Sequence, residues 1–270
     1  MSDLMQIFAE NRVVNWHEHV WLDQSGNLDQ ARLSELVTMA KATCMDALVC
    51  SNPVMVPECP PDLVRRHNDA VFEATQLHKG LIYGMAFVNP GYRLESEIEI
   101  KRCINELGFV GVKLYNQYLI SDPAIRDVIN LCESLDIPIL EHSGKLNYQP
   151  ETQPFISHGT HFALAAAEHP KQAFIYAHIG GGGDWEWSIK AIAPCPNIYA
   201  DISGSVCDQG MIERAVSLLG ADRLLFGTDM SYEAGIGKLL GADISEENKK
   251  TILCGKRFER YLERRPLHAD

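Results

Sequence analysis

The sequence lacks several features, and each absence removes a class of function. Its eight cysteines, at 44, 50, 59, 103, 132, 195, 207 and 254, contain no C-x-x-C pair. Neither a cysteine zinc site nor a disulfide scaffold is therefore expected. Cys50 in DALVC and Cys132 in VINLCESL lie inside apolar runs, where reduced cysteines pack as small hydrophobes, so a reducing cytoplasm is the expected compartment. No run approaches the roughly 20 apolar residues that a membrane span requires. The opening MSDLMQIFAENR has no basic stretch followed by a long apolar one, so no targeting segment is read there. Positive charge is also scarce. With 24 Lys and Arg against 36 Asp and Glu, the net charge is −12, and a nucleic-acid partner, which needs a basic face, is not expected. No low-complexity tract or linker-like stretch divides the 270 residues.

What is present is a recurring unit: a short apolar run, a polar turn, then an amphipathic segment. The strand-like runs are 12–20, 45–51, 81–89, 109–115, 137–142, 173–178, 197–203 and 223–229. Most are apolar on both faces, which suits parallel strands covered by helices. Helical patterns occupy 28–42, 61–78, 94–107, 122–135, 158–168, 184–193, 209–219 and 245–263. Ser121-Asp122-Pro123 reads as a helix start, and Gly80, Gly108 and Gly220 read as helix ends. A doubly wound open sheet is the competing α/β architecture. Eight units of about 34 residues each instead predict a (β/α)8 TIM barrel, with residues 1–270 as one domain.

The chemistry-bearing residues fall at the ends of these runs. His17 and His19 lie near the end of the first, His142 ends the fifth, His178 the sixth and Asp229 the eighth. In a barrel the carboxyl ends of the strands converge on one mouth, where active sites sit. Side chains alternate along a strand, so His17 and His19 share a face and can chelate one ion, whereas Glu18 should point toward the helix layer or solvent. Neutral imidazoles with a carboxylate suit Zn2+, with Mn2+, Fe2+ or Ni2+ as alternatives. Each residue alone has a plainer reading. A single strand-end histidine is usually structural, and an Asp after F-G-T can be a helix cap. The order HxH, H, H, D over four strand ends is what points to a metal centre.

These segments resemble the amidohydrolase superfamily, in particular the branch of metal-dependent TIM barrels that includes aminocarboxymuconate-semialdehyde decarboxylase and related lactonases. The carriers are NWHEHVW, AFVNP, GVKLY, PILEHSG, FIYAHIGGGGDW, PNIYADISG and LLFGTDMSY. The resemblance implies His17, His19 and His142 as imidazole ligands and Asp229 as the carboxylate ligand and proton acceptor. It implies His178 as an acid, base or electrophile beside the metal. Asn15 departs from the Asp common before the H-x-H, at a position that is not a ligand.

Several residues stay open. Lys113 can pair with Glu141 or Asp229, meet a substrate carboxylate, or carry a carbamate that bridges a second metal. Tyr115, Asn89, Glu58 and Tyr232 follow strands and are candidates for substrate contact. His158 and His161, three apart, can form a metal pair but read better as helix-start residues. The loop 143–158 can overhang the mouth. Gly180–Gly183 lack a nucleotide-loop pattern and read as a turn, with Trp185 and Trp187 packing or lining the pocket.

The expected reaction is hydrolysis of a small lactone, ester or amide, since a divalent ion lowers the pKa of water from 15.7 to about 7. Asp229 and His178 would be the catalytic pair. The alternative is non-oxidative decarboxylation of a small carboxylic acid on the same scaffold. The partner is a small-molecule substrate, and a homodimer is compatible with the sequence.

Overall fold

The computed structural model describes residues 5–56, 58–144, 154–179 and 182–264. Eight strands run in chain order around one sheet: β1 (Val14–His19), β2 (Ala47–Ser51), β3 (Ile82–Phe87), β4 (Gly111–Leu114), β5 (Ile139–Glu141), β6 (Phe174–Tyr176), β7 (Ile198–Asp201) and β8 (Leu224–Leu225). Every adjacent pair is parallel. Backbone bonds join the two edges: Trp16 N–H donates to the Phe226 carbonyl and Asp229 N–H to the His17 carbonyl, both at 2.8 Å. The result is the expected eightfold barrel.

The helices are α1 (Gln6–Glu10), α2 (Gln30–Ala42), α3 (Pro61–Leu77), α4 (Arg93–Asn105), α5 (Arg126–Ser134), α6 (Gly159–Glu168), α7 (Trp185–Ile192), α8 (Met211–Leu219), α9 (Tyr232–Gly241), α10 (Glu246–Cys254) and α11 (Glu259–Leu262). Their starts follow the local chemistry. Asp29 caps α2 by accepting from Ala31 and Arg32 N–H, each at 3.1 Å. Asp122 caps a 3-10 turn over Pro123–Ile125 that leads into α5. Gly80, Gly108 and Gly220 all take the left-handed backbone that ends a helix.

Apolar side chains from alternate positions fill two layers. Val14, Trp16, Val49, Met85, Leu140, Ile175 and Leu225 occupy the barrel interior with Phe258 and Leu262. Trp16 meets Phe258 edge to face at 5.2 Å. A second layer, including Phe109, Ile129, Phe162 and Ile189, lies between strands and helices.

The pattern missed α1 and α9, and it merged α10 and α11 into one helix. Gly255 breaks the last pair, since its φ is +56° and an added Cβ would lie 2.7 Å from Trp16 Nε1. Among the described residues no helix is long and apolar enough to cross a membrane, and all eight cysteines are free thiols.

Candidate metal centre at the barrel mouth

The geometry of β1 decides what the first two histidines can do. Val14 and Trp16 point into the barrel interior, so strict alternation would turn His17 outward. The β1–β2 register instead slips between Asn15 and Glu18. This irregularity lets His17 and His19 face the mouth, a common use of bulges beside active sites. Glu18 faces the helix layer, as expected, and is buried rather than solvated. It accepts from Asn15 Nδ2 (3.1 Å), Thr228 Oγ1 and Met230 N–H (3.3 Å). Burial pushes its carboxyl up, against these bonds. Asn15 in turn accepts from Thr228 N–H at 3.2 Å, so this pair stitches β1 to the turn that carries Asp229.

His17, His19 and Asp229 form one group whose ligand atoms lie within 4.8 Å of one another. The hydrogen-bond network assigns their protons. His17 Nδ1 faces Asp201 Oδ2 at 2.9 Å and donates to it, so Nε2 carries the lone pair. His19 Nδ1 lies 3.2 Å from both the Ser51 carbonyl, which accepts, and the Ser51 hydroxyl, which can donate; in the tautomer that donates to the carbonyl, Nε2 carries a lone pair. Asp229 Oδ1 lies 2.9 Å from His19 Nε2 and 3.8 Å from His17 Nε2. In that tautomer two ring lone pairs and a carboxylate converge, with the Lys113 amine 2.8 Å from His17 Nε2. Such a donor set fits a divalent ion, and the Asp201–His17 pair is the arrangement that orients a metal-binding imidazole. Burial and the Lys113 charge lower the pKa of His17, which keeps it neutral. Burial opposes ionisation of Asp229, but His178 and His17 hold its pKa well below the usual range.

A second group, His17, His178 and Asp201, also lies close together. It is a closed hydrogen-bond network rather than an open set of ligands. Asp201 Oδ1 accepts from His178 N–H (3.1 Å), Ser203 N–H (2.9 Å) and Ser203 Oγ. The Ser203 proton is thereby used, so its oxygen accepts from His178 Nδ1 at 2.9 Å. His178 Nε2 must then accept from His142 Nδ1, also 2.9 Å away. Burial pushes His178 down to about 3 and His142 well down too, so both rings are neutral. His178 and Asp229 take left-handed backbone, with φ of 59° and 47°, which turns both side chains at strand ends. His178 Nδ1 lies 3.5 Å from Asp229 Oδ2.

The other candidates separate. Lys113 is fully buried on β4, and its amine lies 2.8 Å from His17 Nε2. Among the described residues neither Glu141 nor Asp229 comes within the roughly 4 Å of an ion pair, so of the three readings of Lys113 the salt bridge is not formed. Burial brings this lysine down to about 8. Tyr115 stacks on His142 at 4.3 Å and 19°, at the mouth. Asn89 instead supports its loop, donating to the Cys59 carbonyl and accepting from Gly91 N–H, both at 3.1 Å. Glu58 is exposed. Tyr232 begins α9 and is half-buried. His158 and His161 cap the start of α6, with ring centres 3.9 Å apart, as helix-start residues. Residues 145–153 of the 143–158 loop, and Gly180 and Gly181, lie outside the described residues. Trp187 is exposed on α7, and Trp185 donates to Asp208 at 2.6 Å.

Sequence reasoning passed over Asp201, Ser203 and Lys238. An Asp-x-Ser at the end of an apolar strand-like run, DIS at 201–203, is the signal that could have marked the first two.

A model described as amidohydrolase matches residues 14–255. Among solved structures, a dihydroxybenzoic acid decarboxylase from Polaromonas sp. JS666, determined with bound manganese, is 16% identical with a TM-score of 0.73, covering 93% of this chain and 97% of that one. A 5-carboxyvanillate decarboxylase from Sphingomonas paucimobilis is 13% identical with a TM-score of 0.71, covering 93% and 99%. A 4-oxalomesaconate hydratase from Rhodopseudomonas palustris is 15% identical with a TM-score of 0.70, covering 93% and 96%. At these identities the likeness speaks for the shared barrel alone.

Proposed function

The chain belongs to the amidohydrolase family, and from that premise we propose a metal-dependent decarboxylase acting on a small carboxylic acid. The observation that carries this reading is Lys113. Burial makes a lysine costly to keep charged, and among the described residues no carboxylate comes into ion-pair contact with this one, although Asp229, Asp201 and Glu141 act on it from farther off. A substrate carboxylate at the mouth would offset that cost, whereas a neutral lactone or amide would not. This reverses the order of the two reactions read from the sequence, where hydrolysis came first. The decarboxylases among the structural neighbours support the same order.

His17, His19 and Asp229 would hold the divalent ion; His142, the further ligand that the resemblance implies, lies outside that close group and contacts His178 instead. The bound ion would supply Lewis-acid charge to fix the substrate's oxygen atoms. Manganese in the Polaromonas structure favours Mn2+ alongside the Zn2+ expected from the ligand types. Lys113 binds and neutralises the carboxylate that leaves. The carbon–carboxylate bond breaks, CO2 departs, and the carbon takes a proton in its place. That proton comes from solvent; Asp229 would relay it to the carbon, with His178 Nδ1, 3.5 Å away, positioning the carboxylate. Tyr115, stacked on His142, offers a flat wall to an unsaturated or aromatic acid.

The test uses purified protein loaded with Mn2+ or Zn2+. Hydroxylated benzoates should release CO2, and Lys113→Met should raise KM for them by at least about tenfold, the equivalent of one lost charged contact. Ring opening of lactones without CO2 release from any carboxylic acid would restore the hydrolase reading.

A further inference from the structure

Among the described residues, Lys238 is a further buried cation that touches this network. It lies on α9, the helix missing from the sequence pattern, and is 8% exposed. Its amine donates to the carbonyls of Ser203 (2.8 Å) and Gly204 (2.6 Å). Among the described residues it forms no ion pair. Both acceptors belong to the turn after β7, where Gly204 has a φ of 83°. That turn delivers the Ser203 hydroxyl to Asp201 and His178, with His17 Nδ1 also at 3.3 Å. The chain of contacts therefore runs from Lys238 through the Ser203 backbone to the Ser203 oxygen and on to His178 Nδ1.

We propose that Lys238 is a positioning residue that fixes the tautomer and orientation of His178 through Ser203. A lysine bonded, among the described residues, to two backbone carbonyls gains little over an apolar residue for packing. Its value lies in fixing the turn. Without it, Ser203 Oγ is free to leave His178 Nδ1, and the ring can place its proton on Nε2 instead. The part of this inference that concerns turnover rests on His178 serving the reaction proposed above. The part that concerns the tautomer does not.

The experiment compares 15N-histidine-labelled, zinc-loaded wild-type protein with Lys238→Met, Lys238→Arg and Ser203→Ala. Wild type should show His178 with a protected Nδ1–H resonance. Lys238→Met and Ser203→Ala should both lose it, and Lys238→Arg, which can still donate to two carbonyls, should keep it. If Lys238→Met does not fold, Lys238→Gln, whose shorter uncharged amide still donates, takes its place and should weaken the signal. In decarboxylation assays the Met variant should lose about 10–100-fold in kcat with KM nearly unchanged, and adding Ser203→Ala should cost no more. A Lys238→Met protein that keeps the wild-type His178 resonance would overturn the proposal, as would strictly additive losses in the double variant. Absence of turnover in wild type would count against the decarboxylase reading alone, leaving the resonance to decide the role of Lys238.

Discussion

Asp229 Oδ1 approaches His19 Nε2 to 2.9 Å, and where His19 donates through Nδ1 to the Ser51 carbonyl each of the two atoms carries a lone pair. Such a contact is stable only with a cation or a proton between the two. If the occupant is a divalent ion, elemental analysis of protein grown with added metal should find about one per chain. Melting in the presence of the ion at a hundred times its Kd should then show about 2.7 kcal/mol of added stability, lost on chelation. Protein without metal, and with a melting temperature indifferent to chelator, would leave only the proton.

Replacing Asp229 by Asn turns this contact into an ordinary hydrogen bond, because the amide can donate to His19 Nε2. Turnover should fall by about 10²–10⁴-fold with the proposed proton carrier removed. The metal-free variant should nonetheless melt no lower than metal-free wild type at neutral pH. Calorimetry of the two stripped proteins checks this, and a marked drop would show that Asp229 is structural.

Asp201 never faces the ion in this arrangement, yet it fixes which nitrogen of His17 does. With Asp201→Asn, the His17 proton loses its charged acceptor and the ring can turn. Metal affinity should weaken about 10–100-fold. Titration calorimetry with Zn2+ and Mn2+ reads the change, and an unaltered Kd would remove Asp201 from the site.

Away from the mouth, Glu99 on α4 accepts from Arg102 Nη2 (2.7 Å), Arg102 Nε (2.9 Å) and Asn68 (2.9 Å). Burial pushes its carboxyl up, but these bonds outweigh burial and hold it below the ordinary 4.5. The folded state therefore binds this proton more weakly than the unfolded one. The stabilisation is complete above about pH 4.5 and fades as pH falls through the lower folded value. Glu99→Gln should cost about 1–3 kcal/mol at pH 7. The gap between variant and wild type should shrink toward pH 3, as denaturant titrations at several pH values would record. A gap independent of pH would contradict the linkage.

The barrel was legible because eight doubly apolar runs alternate with amphipathic segments, a signal that survives errors at every boundary. Helix α9 was not, since Gly235, Gly237 and Gly241 depress its helical propensity. Gly235 has a tertiary reason: an added Cβ would meet the Gly227 carbonyl at 2.9 Å. His17, His19, His178 and Asp229 were found together because strand ends converge. Asp201 escaped because its role depends on which nitrogen of His17 it reaches, a fact of three-dimensional register. Glu58 and Asn89 were chosen for their place after a strand, and position alone does not tell a loop brace from a substrate contact. The slip in β1 is invisible in NWHEH, where simple alternation gives the right pairing of histidines but the wrong relation to Trp16.

The bond from Asp229 N–H to the His17 carbonyl ties the first strand to the turn after the last. The proposed ion thus bridges opposite ends of the polypeptide and can be gripped only after the eighth unit has docked. Cation uptake is a report of completed folding, and a nascent chain ending at β7 has half a claw and nothing to close it.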